Sequence, residues 1–146
     1  MKISHLLFVL FLTFISPNFT FAQEEKEETP RVTVIGNDSI YHTVEEMPAF
    51  PGGETKLFNY LSENIIYPKL AKEKNTTGKV YATFIVETDG SVYDVSILRG
   101  IGDGCDEEVI RIINAMPKWT PGFQDGKAVK VKYILPVAFN LKDAGK

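Results

Sequence analysis

The stretch Lys127-Ala-Val-Lys-Val-Lys-Tyr-Ile-Leu-Pro-Val-Ala-Phe-Asn-Leu141 reads as one long strand with a proline in its second half. Val129, Val131, Tyr133, Leu135, Val137, Phe139 and Leu141 share one parity and form a continuous apolar face, whereas Lys130, Lys132, Ile134, Pro136, Ala138 and Asn140 take the other. The same parity decides the direction of each backbone N–H and C=O. Pro136 has no N–H, so its parity should look away from the neighbouring strand. That leaves Lys130, Lys132, Ile134 and Ala138 as the candidate positions where an extended peptide would dock by strand addition. The stretch equally fits an ordinary sheet edge guarded by two lysines and a proline.

Working outward, Lys118-Trp-Thr-Pro-Gly-Phe-Gln-Asp-Gly126 reads as a connection carrying two large aromatics. Before it, Cys105, Val109, Ile112, Ile113 and Met116 recur at helical spacing, which predicts a helix from about Cys105 to Met116 packed on a sheet. Asp103 is placed to cap that helix, and Asp106, Glu107 and Glu108 fall in its first turn, where the helix dipole favours acids. Gly78 to Glu87 and Val92 to Arg99 read as strands joined by the hairpin signal Asp89-Gly90. Their expected apolar faces are Val80, Ala82, Phe84 and Val86 in the first, and Tyr93, Val95 and Ile97 in the second.

Further upstream, Leu57, Phe58, Leu61 and Ile65 predict an amphipathic helix over Glu54 to Asn64, and Tyr67-Pro68 ends it and opens a short helix to Lys74. Arg31-Val-Thr-Val-Ile35 and Ile40-Tyr-His-Thr-Val-Glu45 alternate around Gly36-Asn-Asp-Ser39, the layout of a small hairpin. The fold class is therefore α+β: a three-stranded antiparallel sheet with helices packed on one face, plus an N-terminal hairpin. The expected organisation is a signal peptide over 1–22, an acidic leader with the hairpin over 23–46, and one domain over 47–146.

The N-terminal expectation rests on Lys2, the apolar run Leu6 to Ile15, the break at Ser16-Pro-Asn18, and the small residues Thr20 and Ala22 before Gln23. A short uncleaved membrane anchor is the alternative. With a formal balance of 16 basic and 19 acidic residues, nucleic acid is not an expected partner. Cys105 is the only cysteine, so no intramolecular disulfide forms, and with His5 and His42 the only histidines there is no zinc-ligand spacing. No metal or cofactor is expected. An enzyme using Cys105 as nucleophile and His42 as base is not expected either, because Cys105 fits helix packing and has no motif around it.

Taken in order, Tyr67-Pro68, Ala71, Gly78, Val80, Phe84, Val86, Asp89-Gly90, Cys105-Asp106, Trp119, Pro121, Gly126, Val131, Pro136 and Phe139 resemble the C-terminal domain of TonB-family energy transducers. The resemblance spans roughly Met47 to Leu141, and Met47-Pro-Ala-Phe-Pro-Gly-Gly53 resembles the opening segment of the Bacteroidetes branch. It implies a periplasmic module that grips the box peptide of TonB-dependent outer-membrane receptors as a strand added beside the last strand, in support of transmembrane transport. For an anchored chain it also implies an inner-membrane, proton-driven complex of the ExbB/ExbD type as partner. About thirty residues separate Ala22 from Gly53, a reach of roughly 100 Å if fully extended. The alternative function is a periplasmic interaction or dimerisation domain, forming a homodimer through its edge, with the same fold and no part in energy transduction.

Overall fold

A computed structural model describes residues 31–35 and 38–145. In chain order these form β1 (Val32–Ile35), β2 (Asp38–Tyr41), α1 (Glu54–Asn64), α2 (Lys69–Lys74), β3 (Gly78–Val86), β4 (Val92–Arg99), α3 (Cys105–Asn114), β5 (Gly122–Gln124) and β6 (Lys127–Phe139), closed by a 3-10 turn at Leu141–Gly145. The signal-peptide expectation and most of the acidic leader lie outside the described residues.

The alternation of β3 and β6 makes them the spine of the sheet. They pair antiparallel from Gly78 opposite Phe139 to Val86 opposite Val131, and β4 pairs antiparallel on the far side of β3. One face of this spine is apolar: Val80, Ala82, Phe84 and Val86 on β3, with Leu135, Val137 and Phe139 on β6, are all buried. Against it pack Leu57 and Leu61 of α1, Ala71 of α2, and Cys105, Val109, Ile112 and Ile113 of α3, so every helix lies on that face. The α+β class expected from the alternation and the helical periodicity is the one observed, but the sheet of the described residues has six strands in place of the expected three, because β1, β2 and β5 join it and β2 adds a parallel pair.

The last strand is not a bare edge throughout. The strand order is β1-β2-β6-β3-β4, with β2 parallel to β6 through Ile40 opposite Lys130 and Tyr41 opposite Val131. Hairpin β1–β2 forms, with Val32 opposite Tyr41 and Ile35 opposite Asp38, but its second strand is Asp38–Tyr41 and not Ile40 to Glu45, and it extends the sheet instead of standing apart from it. Burial of Ile40 and of the following Val44 explains why: both are less than a tenth exposed, so the hairpin and the segment after it are held by the domain.

Three local features differ from the pattern read in the sequence. In β4, Asp94 has φ 52° and the register slips between the pairs Thr83–Ser96 and Ile85–Tyr93. This bulge adds a residue and inverts parity, so Val92, Val95 and Ile97 pack on the core while Tyr93 is 40% exposed. At α3 the capping position is Gly104, not Asp103. Asp103 itself sits at φ 55° between two left-handed glycines, which turns its carboxylate toward Lys74 Nζ (2.8 Å) and Thr76 Oγ1 (2.6 Å). Asp106 reaches back instead, accepting from the N–H of Ile101 at 2.9 Å. Finally, Phe123 lies on β5, which pairs with Lys127–Val129 across a turn at Asp125 (φ 50°) and Gly126 (φ 69°). Two positive φ values in a two-residue loop make the hairpin turn that Asp-Gly favours.

Candidate functional site

The pairing of β6 leaves part of its length open. Pro136 stands opposite Tyr81 and has no N–H, so this pair is of the non-hydrogen-bonded kind, and residues of its parity direct their backbone groups away from β3. On that outer side β2 covers Lys130. Among the described residues no strand pairs with Lys132 to Ala138 there. Seven residues at about 3.3 Å each give an open edge of roughly 23 Å.

Of the four edge positions read in the sequence, three lie on this open run. Lys132, Ile134 and Ala138 keep their outer backbone groups unpaired by any strand, and the Ile134 side chain is 53% exposed. Lys130 does not belong with them. Its position is paired with Ile40, and its ammonium lies 3.2 Å from a Glu87 carboxylate oxygen. A strand's own alternation shows which residues share an edge but not where a distant segment will join it, so Lys130 and Lys132 looked equivalent.

Both sides of the open run are flanked by structure that the strand pattern did not indicate. On the helix side a groove of about 400 Å³ runs between Phe58, Leu61, Ser62 and Ile65 of the α1 region and Pro136 to Ala138. The helical spacing predicts Phe58 on the core stripe, yet it is 61% exposed whereas Leu57 and Leu61 are buried. Adjacency to Leu57 carried the signal, because neighbours on a helix lie about 100° apart and cannot share one narrow stripe. On the opposite face a larger cleft of about 940 Å³ lies between β1 and the sheet, with Thr33 and His42 on one wall and Thr83, Ser96, Lys132 and Ile134 on the other. Two hydroxyl contacts line it: Thr83 with Ser96 (2.9 Å) and Thr33 with His42 (2.7 Å).

Other singled-out residues take structural places. Trp119 is buried at 5.0 Å from the Tyr133 ring, 5.3 Å from Phe84 and 5.8 Å from Phe50, measured between ring centroids. Phe123 is half-buried on β5. Tyr67 stands edge-on to Phe139 and its hydroxyl donates to the Thr76 carbonyl. Arg111 bonds Glu108 at 2.7 Å and the Asn64 carbonyl at 2.9 Å, joining α3 to the end of α1; Arg99 lies at the end of β4. Glu108 is pushed up by burial, but the Arg111 guanidinium and the Ile66 N–H outweigh this and hold it below the usual carboxylate range. Cys105 is fully buried on the core face at the start of α3, and His42 sits beside the hairpin against Thr33, lining the cleft on the other face of the sheet, so the structure does not bring them together as nucleophile and base. Burial, with the acids Asp106, Asp103, Glu107 and Glu108 around it, pushes the Cys105 thiol up to about 11. Among the described residues no three His, Cys, Asp or Glu side chains are grouped to hold a metal ion, and no helix is long and apolar enough to cross a membrane.

Comparison with known proteins gives three findings. Residues 63–141 match the family described as Gram-negative bacterial TonB protein C-terminal. None of the curated proteins compared with the chain matches it. Among solved structures, an NMR solution structure of the Helicobacter pylori TonB C-terminal domain matches with 24% identity over 60% of this chain and 92% of that one, at a TM-score of 0.42. A second, longer piece of the same domain matches with 22% identity over 59% and 78% of the two chains, also at 0.42.

Proposed function

The chain belongs to the Gram-negative bacterial TonB C-terminal family, and from that premise we propose that it is a periplasmic, non-catalytic binding module that takes up the box peptide of an outer-membrane receptor as a strand added to β6. The observation that carries this reading is the outer side of Lys132 to Ala138, which no strand among the described residues pairs. Backbone pairing along that side supplies affinity with little regard to sequence, which suits a module serving several receptors. Its role is then in TonB-dependent transport, with TonB-dependent receptors as partners.

The test is calorimetric titration of a synthetic receptor-box peptide into the wild type and into Ile134→Pro. The substitution deletes one outward N–H near the middle of the run and should weaken binding about tenfold, the scale of one lost hydrogen bond plus the steric cost of the ring. Circular dichroism confirms that the variant remains folded. Unchanged affinity in a folded Ile134→Pro chain would remove strand addition at this edge.

The same open run favours, as a second reading, pairing with another copy of this chain. Sedimentation showing a dimer that Ile134→Pro dissociates, together with no response to box peptides, would make this an interaction domain without a transport role.

A further inference from the structure

Strand β2 runs along the very side of β6 that an added strand would use, and it stops after two register pairs, Ile40 with Lys130 and Tyr41 with Val131. It stops because the chain bends at His42 and Thr43, while the His42 N–H continues the ladder to the β1 side through the Arg31 carbonyl at 2.7 Å. Had it continued straight, the parallel strand would have covered Lys132 and the residues beyond it. Strand β2 and the segment after it are held by the domain. Ile40 is 6% exposed and Val44 8%, and beyond them Glu46 pairs with Phe123 and Ala49 with Thr120.

Resting on the strand-addition reading, we infer that the β1–β2 hairpin is a built-in stop that fixes where an added peptide begins. The head of the edge is already occupied by the protein's own strand. A guest strand therefore pairs from Lys132 to Ala138 and meets β2 end to end at Lys130. This restricts register, which backbone pairing alone specifies weakly on a mixed edge. A shift of two residues keeps every side chain on its proper face, so alternation cannot reject it, but a shift toward Lys130 collides with β2. The hairpin thus closes one direction of slip on a sequence-indifferent edge.

Amide exchange followed by NMR on the full chain, free and with a synthetic receptor-box peptide longer than seven residues, tests this. In the wild type, binding should slow exchange at Lys132, Ile134 and Ala138 by about tenfold or more and leave Ile40, Tyr41 and Lys130 as in the free chain. In Ile40→Asp, which undocks the hairpin, protection should extend back to Lys130, and peptides whose box is displaced by two residues should bind as well as the original. Tyr41→Pro, which removes an N–H from β2, serves in the same way should Ile40→Asp not fold. Faster exchange at Ile40 and Tyr41 on binding to the wild type would mean that the guest displaces the hairpin, and the stop is wrong. A folded Ile40→Asp chain with an unchanged bound pattern would overturn it too. Peptide binding that slows no amide from Lys132 to Ala138 overturns strand addition itself, and the stop with it.

Discussion

Asp103 ties the loop before α3 to the end of α2 through one carboxylate, and that gives it a pH signature. The hydrogen bond from the Lys74 ammonium, and then that from the Thr76 hydroxyl, keep it below the ordinary carboxylate range. A depressed native value means that the unfolded chain binds the proton more readily, so the contribution is present above a pH of about 4 and is lost as pH falls through the native value. Asp103→Asn, which tolerates the same left-handed φ, should lower the melting temperature at pH 7, and the gap from wild type should be smaller at pH 3. Melting curves at the two pH values check this. Asp106→Ala removes the acceptor of the Ile101 N–H and should cost about 1–3 kcal/mol in urea unfolding. The division of labour between these acids was hidden in the sequence. Both stand near a helix start, and the left-handed Gly102 and Gly104 that redirect Asp103 show only in the backbone angles. Cys105 was easier, since its spacing to Val109, Ile112 and Ile113 already placed it on the packing face. Its raised, buried thiol should resist alkylation at pH 8 in the folded chain and react once the chain is unfolded.

At the scale of elements, two turns built on the same dipeptide carry different loads. At Gly126 (φ 69°) a Cβ would meet nothing within 4 Å, so Gly126→Ala introduces only backbone strain, about 1 kcal/mol. At Gly90 (φ 85°) a Cβ would lie 1.9 Å from the Trp119 carbonyl oxygen, and that oxygen belongs to the segment whose N–H bonds Gly90 at 2.8 Å. Gly90→Ala should therefore cost distinctly more than Gly126→Ala in parallel urea titrations; equal costs would mean that the Trp119 segment yields easily. Asp89-Gly90 was read as a hairpin because long alternating runs flank it. Asp125-Gly126 carries the same signal, but the strand before it is only Gly122–Gln124, too short to show a period. The bulge at Asp94 escaped for a related reason: a single inserted residue breaks alternation without leaving any compositional mark. Helix α1, by contrast, has its observed limits in the sequence, between Gly53 and the turn before Tyr67-Pro68.

Across the whole molecule, one apolar cluster joins both strands of the spine to all three helices. Core amides of β3 and β6 should exchange only through global unfolding, whereas β1, with Val32 and Val34 41% and 66% exposed, should open at far lower cost. Exchange as slow in β1 as in β3 would contradict that ranking. The α+β plan was readable because each long element carries its own period, but the neighbour that takes Lys130 and Val131 of β6 comes from some ninety positions upstream (β2, Asp38–Tyr41). No local pattern encodes that pairing. The candidate edge was legible to the same extent: parity and Pro136 marked its outward residues, and only the folded chain shows which remain open. Trp119 has a further consequence. As the chain's single tryptophan, 3% exposed and in ring contact with Tyr133 of β6, it is an intrinsic optical probe: its emission should lie to the blue while the core is intact, shift red on melting, and report through Tyr133 on a strand added beside β6.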